Sequence, residues 1–349
     1  MTETEAPKRR HLGVFAPTAA VIVLVIVWTV WWFVAAHRVE AAFHAQADAL
    51  TKQGYRVSTA PFSVKGYPYR LAVTLHDVNL VAPTGRGFAA PELDIEANAY
   101  NPDKWVLVAT RGLTLYRGRS KDGADLGTLA LTGKVLRASL SHLGQAVPDI
   151  RLQGMEVTAT PSDPTRPFVF DTATLVEAYL RPNAKDTDSA DALVRWTGAR
   201  GRAPGFTGKV SPGAPLDLHA EGTINHVSAF RGVTFNTGLA AWKTGGVASN
   251  LIVELKRPDT TLRLNSDALD AGADGRVEGK VKVELTGVAG PIDILSSAGV
   301  LPGDMANEAA PLLDLAMGAN NGPAKLTIDF KKGKAYIGTL KVANAPTLP

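Results

Sequence analysis

An uncharged apolar run at residues 16–35 constrains this 349-residue chain more than any other feature. Its centre, residues 21–27, contains only valine, isoleucine and leucine. About twenty residues of α-helix rise about 30 Å, which is the thickness of the hydrocarbon core of a bilayer. No second run of this kind follows in the sequence. We therefore expect one membrane span joined to a large water-exposed remainder.

Positive charge is concentrated before the apolar run. Lys8, Arg9 and Arg10 precede it, whereas Arg38 follows it alone and is soon balanced by Glu40. Positively charged flanks stay on the cytoplasmic side of a membrane, so we expect the residues before the run there and the bulk of the chain on the other side. The resulting division is a cytoplasmic tail at residues 1–15, a transmembrane helix at 16–36, a connecting helix at 37–54 and an exported β-rich domain at 55–349.

Three tryptophans lie in the second half of the run, at Trp28, Trp31 and Trp32. Indole rings favour the membrane–water interface, so we interpret these residues as an interfacial anchor. The alternative for the whole run is a cleaved signal peptide, because residues 34–36 are small enough for a peptidase site. The apolar run is longer than the usual apolar region of a signal peptide and ends in bulky aromatics, which favours a retained anchor.

Composition excludes several classes of function. The chain has no cysteine, which removes thiol catalysis, disulfides and cysteine-based metal sites. Part of the net charge of +4 flanks the apolar run, and no block of five or more lysines and arginines occurs, so nucleic acid is not an expected partner. The seven histidines form no metal-binding spacing, and no serine lies in a GxSxG motif. We expect no enzyme activity, no metal and no cofactor. An enzyme would need a site assembled from dispersed residues such as His76, His142 and His219.

Alternating apolar and polar residues dominate the rest of the chain and predict strands joined by short turns. Residues 325–330 and 334–342, for example, form a final hairpin, and residues 251–256 and 260–265 form another. Residues 292–300 and 305–317 look helical. Residues 181–215 are rich in glycine, proline and aspartate and predict a long loop, with one helical turn near residues 189–196. The fold class is therefore mainly β (α+β). It comprises the transmembrane helix and an extended, curved, mostly antiparallel sheet with a few covering helices.

The most distinctive local motif is Gly66, Tyr67, Pro68, Tyr69 and Arg70. Glycine and proline around a tyrosine predict a stiff corner that fixes the first long strand, so we interpret the motif as structural. With residues 90–93 and 99–102, with the apolar anchor and with the closing hairpin, it resembles the domain-of-unknown-function 2125 family of Gram-negative envelope proteins. That resemblance implies an inner-membrane protein with its bulk in the periplasm, and it implies no catalytic residues.

A second resemblance concerns architecture alone. Strands joined by tight turns after an anchor look like AsmA-type envelope proteins, whose β grooves are linked to lipid transport. The leading hypothesis is therefore a non-enzymatic protein whose sheet contacts lipid or another apolar ligand in envelope maintenance. The alternative is a structural or assembly partner of an envelope protein complex, which would use a sheet edge or the segment at 181–215.

Overall fold

The computed structural model describes residues 12–120, 123–145, 147–231, 235–272, 274–287 and 323–347. These contain three α-helices and seventeen strands. The helices are α1 (Leu12–Lys52), α2 (Phe206–Val210) and α3 (Phe235–Trp242). The first strands are β1 (Arg56–Ser58), β2 (Arg70–Val81), β3 (Arg86–Asn98), β4 (Asn101–Val108), β5 (Leu113–Arg117), β6 (Thr128–Thr132), β7 (Val135–Ser141), β8 (Asp149–Pro161) and β9 (Thr172–Pro182). The remaining strands are β10 (Ser189–Ala199), β11 (Leu216–Asn225), β12 (Val247–Arg257), β13 (Thr260–Ala271), β14 (Val277–Gly287), β15 (Ala324–Lys331), β16 (Lys334–Ile337) and β17 (Leu340–Asn344).

Helix α1 is continuous over 41 residues, so the apolar run and the expected connecting helix form one element. In the described part of the chain it is the one helix that is long and apolar enough to cross a bilayer. Side chains from Val21 to Val27 are each more than half exposed, so this part of α1 contacts little of the protein. Such a helix is what an anchor or a signal sequence requires.

The strands form one sheet in which every paired neighbour is antiparallel. Strands β1, β2 and β3 are neighbours in that order. Strand β3 then pairs with β4 along one half and with β5 along the other, and β8 likewise pairs with both β7 and β6. From β8 to β17 each strand pairs with the next in sequence. The expected fold class, mostly β with one large antiparallel sheet and an apolar first helix, is confirmed.

The expectation of a long loop at residues 181–215 is wrong. Residues 189–199 form β10, a central strand that pairs with β9 on one side and β11 on the other, and residues 206–210 form the short helix α2. The apolar face of β10 includes the small Ala190 and Ala192, so its alternation is weak in the sequence. The expected helices at residues 292–300 and 305–317 lie outside the described residues.

Apolar packing is distributed along the sheet. One cluster joins α1 to β2 and β3 through buried Trp32, Ala36, Leu71 and Ala99. Further clusters lie beneath β2 and β3, between β6 and β10, and from β11 to β17. The helix that carries the apolar run is therefore packed on the first strands of the sheet.

Candidate apolar site on the sheet

The registers of neighbouring strands align apolar residues into rows across one face of the sheet. The central row crosses twelve strands without a polar residue. It comprises Val73, Ile95, Leu107, Ala138, Leu152, Ala178, Val194, Ala220, Val253, Leu264, Val283 and Leu326. Neighbouring strands lie about 4.8 Å apart, so this row extends about 50 Å along the sheet.

Two flanking rows on the same face are also apolar. Side chains in a strand alternate between the two faces, so residues two positions from the central row share its face. The row nearer the motif corner comprises Leu71, Ala97, Trp105, Leu140, Ile150, Leu180, Ala192 and Gly222. The row on the other side runs from β7 to β15 through Leu136, Gly154, Val176, Trp196, Leu218, Leu255, Leu262, Leu285 and Ala324. We call the surface formed by these three rows the apolar face.

The two ends of the apolar face are covered better than its middle. Val73 is 1 % exposed beneath α1, and Val283 is 2 % exposed within the cluster of β11–β17. Between them, Leu152 is 49 % exposed and Val194 is 41 % exposed. Large aliphatic side chains at the centre of a sheet are normally packed, so this half-open strip is the candidate binding surface.

A cleft of about 640 Å³ connects the apolar face to α1. Its lining is apolar except for Arg38 and comprises Ile26, Val27, Val30, Trp31, Val34, Ala35, Arg38, Val39, Leu71 and Pro102. Val27, Val34 and Arg38 lie on one side of the helix because they are seven and four residues apart. Leu71 belongs both to this cleft and to the apolar face. The cleft therefore leads from the side of the apolar helix to the first strands of the sheet.

The opposite face of the sheet is polar. Glu177 is 5 % exposed and accepts hydrogen bonds from Arg195, from the Tyr179 hydroxyl at 2.8 Å and from the Gln153 amide at 3.1 Å. Burial raises the pKa of the Glu177 carboxyl, but the hydrogen bonds from Arg195 and Tyr179 more than offset it, so the pKa lies below its usual value. A sheet with one charged and one apolar face has its two sides in different environments.

The motif at residues 66–70 forms a tight corner before β2. The Arg70 amide donates to the Gly66 carbonyl at 2.9 Å, and Gly66 has a φ of +102°, which favours glycine. A Cβ at Gly66 would also lie 2.8 Å from the Arg70 carbonyl oxygen. The side chain of Arg70 pairs with Glu96 at 3.0 Å on the surface. These contacts fix the motif at the start of β2, beside the end of β3.

Two of the three tryptophans of the apolar run hold this corner. The Trp28 indole donates to the Pro68 carbonyl at 3.1 Å, and the Trp32 indole donates to the Arg70 carbonyl at 2.9 Å. Trp32 is 4 % exposed and packs edge-on against Tyr67, whereas Trp31 is 38 % exposed and lines the cleft. These contacts join residues about 40 positions apart, so no local sequence pattern indicates them. The interfacial role of the three tryptophans stays a prediction.

The histidines that an enzyme hypothesis would use each contact a carboxylate of their own. His76 lies 3.8 Å from Glu92, and His219 lies 3.3 Å from Glu221. His142 lies 3.8 Å from Asp103. Across the part of the chain that the structure describes, no group of three or more histidine, aspartate or glutamate side chains is placed to hold a metal ion.

Comparison with known proteins identifies the family and no activity. No curated protein matches the chain. One family profile, described as uncharacterised proteins conserved in bacteria (DUF2125), matches residues 32–346. The match begins at Trp32, the residue that joins α1 to the motif corner, and extends to the end of the sheet. The chain therefore belongs to the DUF2125 family of uncharacterised bacterial proteins.

Proposed function

We propose that this protein binds phospholipid acyl chains on its apolar face, as a non-enzymatic component of the bacterial envelope. The observation that carries the proposal is the unbroken apolar row across twelve strands, whose middle is half open. Burying apolar surface is favourable by about 25 cal/mol per Å², and an acyl chain supplies such a surface without any polar group to desolvate.

The position of α1 supports a lipid over other apolar ligands. The helix packs on β2 and β3, the first strands of the apolar face, and the cleft along its side shares Leu71 with that face. A lipid leaving the bilayer beside α1 would meet apolar side chains from Ile26 up to the sheet. Arg38 lines the cleft near its C-terminal end along α1 and supplies a cation suited to a lipid phosphate.

Retention of the helix in the mature protein is part of this proposal. Cleavage after residue 36 would remove Trp28 and Trp32, and with them both indole hydrogen bonds to the motif corner. The charge bias before the run supports an inner-membrane anchor with the sheet in the periplasm.

Photo-crosslinking in vesicles tests the proposal. The full-length protein is reconstituted with a phosphatidylcholine that carries a diazirine in one acyl chain, and the labelled residues are mapped by mass spectrometry. Annular lipid labels α1 in any case, so the informative label is the one on β8–β11. We expect labelling at Leu152 and Val194, at the open middle of the apolar face.

Matched variants separate the two faces. Val194→Glu places a charge on the apolar face and should abolish labelling of β8–β11, whereas Thr197→Glu, three residues away on the other face, should leave it unchanged. Label confined to α1 would overturn lipid binding by the sheet. If a protein then co-purified in stoichiometric amount and bound the same face, the alternative function, an assembly partner of an envelope protein complex, would replace lipid binding.

A further inference from the structure

The helix has more apolar length than a bilayer needs. Residues 12–36 are 25 consecutive residues without a charged side chain. About twenty residues cross the hydrocarbon core, so about five are left over at one end. The structure shows what the last of them do, because Trp32 and Ala36 are buried against Leu71 and Ala99 of the sheet. The helix therefore leaves the hydrocarbon near Trp31 and enters the folded domain directly.

The motif corner lies beside that exit point. The Thr29 hydroxyl is 2.7 Å from the Tyr67 hydroxyl, and the Trp28 indole reaches Pro68. Residues 28 and 29 lie about 3–5 Å along the helix before residue 31, near which the helix leaves the hydrocarbon. The corner is thus level with the boundary between the acyl chains and the headgroups.

Two tyrosines at this level are exposed. Tyr69 is 70 % exposed and Tyr100, in the turn between β3 and β4, is 69 % exposed. The two belong to one surface, because the Ala99 amide donates to the Tyr69 carbonyl at 2.8 Å. Tyrosine is amphipathic and favours the membrane–water interface.

We propose that Tyr69 and Tyr100 insert into the headgroup layer of the bilayer, so that the sheet is held on the membrane at a second place beside α1. The partner is the lipid surface itself. Two attachments restrict rotation of the sheet about the helix axis and hold the first strands of the apolar face next to the bilayer. This inference depends on α1 spanning the membrane and is independent of acyl-chain binding by the sheet.

Depth-dependent fluorescence quenching tests the proposal on the full-length protein in vesicles. The chain has no cysteine, so single substitutions carry an environment-sensitive dye cleanly. The test positions are Tyr69→Cys and Tyr100→Cys. The matched control is Thr84→Cys, in the exposed turn at the other end of the same β2–β3 hairpin, about 40 Å away along the strands. Val23→Cys, within the span, reports insertion of α1.

Lipids with a nitroxide near the headgroup should remove most of the emission at positions 69 and 100 and leave position 84 unchanged. Position 23 is read with a second lipid that carries the nitroxide deep in an acyl chain, because residue 23 lies near the middle of the span. Quenching at position 23 alone would overturn the proposal while leaving the anchor in place. Loss of quenching at all three positions, 23, 69 and 100, would overturn membrane insertion and the proposal together. The quenching results do not depend on whether the photo-crosslinking lipid labels the sheet. Membrane contact by the tyrosines and acyl-chain binding by the sheet can therefore be refuted separately.

Discussion

Removing the Trp32 indole hydrogen bond while keeping an aromatic ring tests how the sheet is attached to the helix. In the full-length chain, Trp32→Phe deletes the donor to the Arg70 carbonyl at 2.9 Å and leaves a smaller ring at a position that is 4 % exposed. The neighbouring Trp31 provides a matched control, because Trp31→Phe makes the same chemical change at a side chain that is 38 % exposed.

The expected cost follows from two contributions. A hydrogen bond of this kind contributes about 0.5–1.5 kcal/mol, and the space left by the smaller ring costs about 1–2 kcal/mol because the site is closely packed. We therefore expect Trp32→Phe to lower the free energy of unfolding of the sheet by about 1.5–3.5 kcal/mol. Trp31→Phe should change it by less than about 0.5 kcal/mol, as is usual for exposed positions.

Urea unfolding in detergent micelles, followed by the circular dichroism of the sheet, measures both values. The helix stays in the micelle, so the transition reports the sheet and its attachment. A transition midpoint for Trp32→Phe equal to that of the unaltered protein would refute the conclusion that Trp32 holds the motif corner. A loss for Trp31→Phe as large as that for Trp32→Phe would show that the cleft, and not the corner, is the main contact.

Two further variants test other parts of the sheet. Glu177→Gln should destabilise the protein by about 1–3 kcal/mol at pH 7, since it removes a charged hydrogen-bond acceptor of Arg195. Folding lowers the pKa of Glu177. The difference in stability between the parent and the variant should therefore be present above about pH 4.5 and shrink as pH falls through the lower pKa of the folded state. Thermal unfolding across a pH series measures this, and a difference that grows toward acid pH would contradict it. Gly87→Ala should lower the free energy of unfolding by about 1–3 kcal/mol or more, because the added Cβ would lie 2.0 Å from the Leu80 carbonyl oxygen. Gly144→Ala should leave it nearly unchanged, because no atom lies within 4 Å of the Cβ position there. Parallel melting curves of the two glycine variants check the comparison, and similar melting temperatures would show that the β2–β3 ladder adapts to the added methyl group.

The sequence predicts single elements well where the pattern is local. The apolar run identifies the helix because every residue from 16 to 35 is uncharged, and the turn at Pro258 and Asp259 predicts the β12–β13 hairpin that the structure contains. The hairpin at residues 331–333 is likewise found, although Gly338, with a φ of +61°, divides its second strand into β16 and β17. The sequence does not predict strand β10, because Ala190 and Ala192 on its apolar face give little contrast with its polar neighbours.

The sequence by itself therefore determined the apolar first helix, the fold class and which residues of each strand share a face, because these depend on hydrophobicity and period within a few residues. Only the tertiary structure decided that the apolar residues of separate strands align into continuous rows. That alignment depends on register, which turns and β-bulges set between strands, including pairs such as β4 and β7 that are not consecutive. The position of the motif corner against Trp28 and Trp32 was also decided by tertiary structure, because it depends on contacts between residues about 40 positions apart.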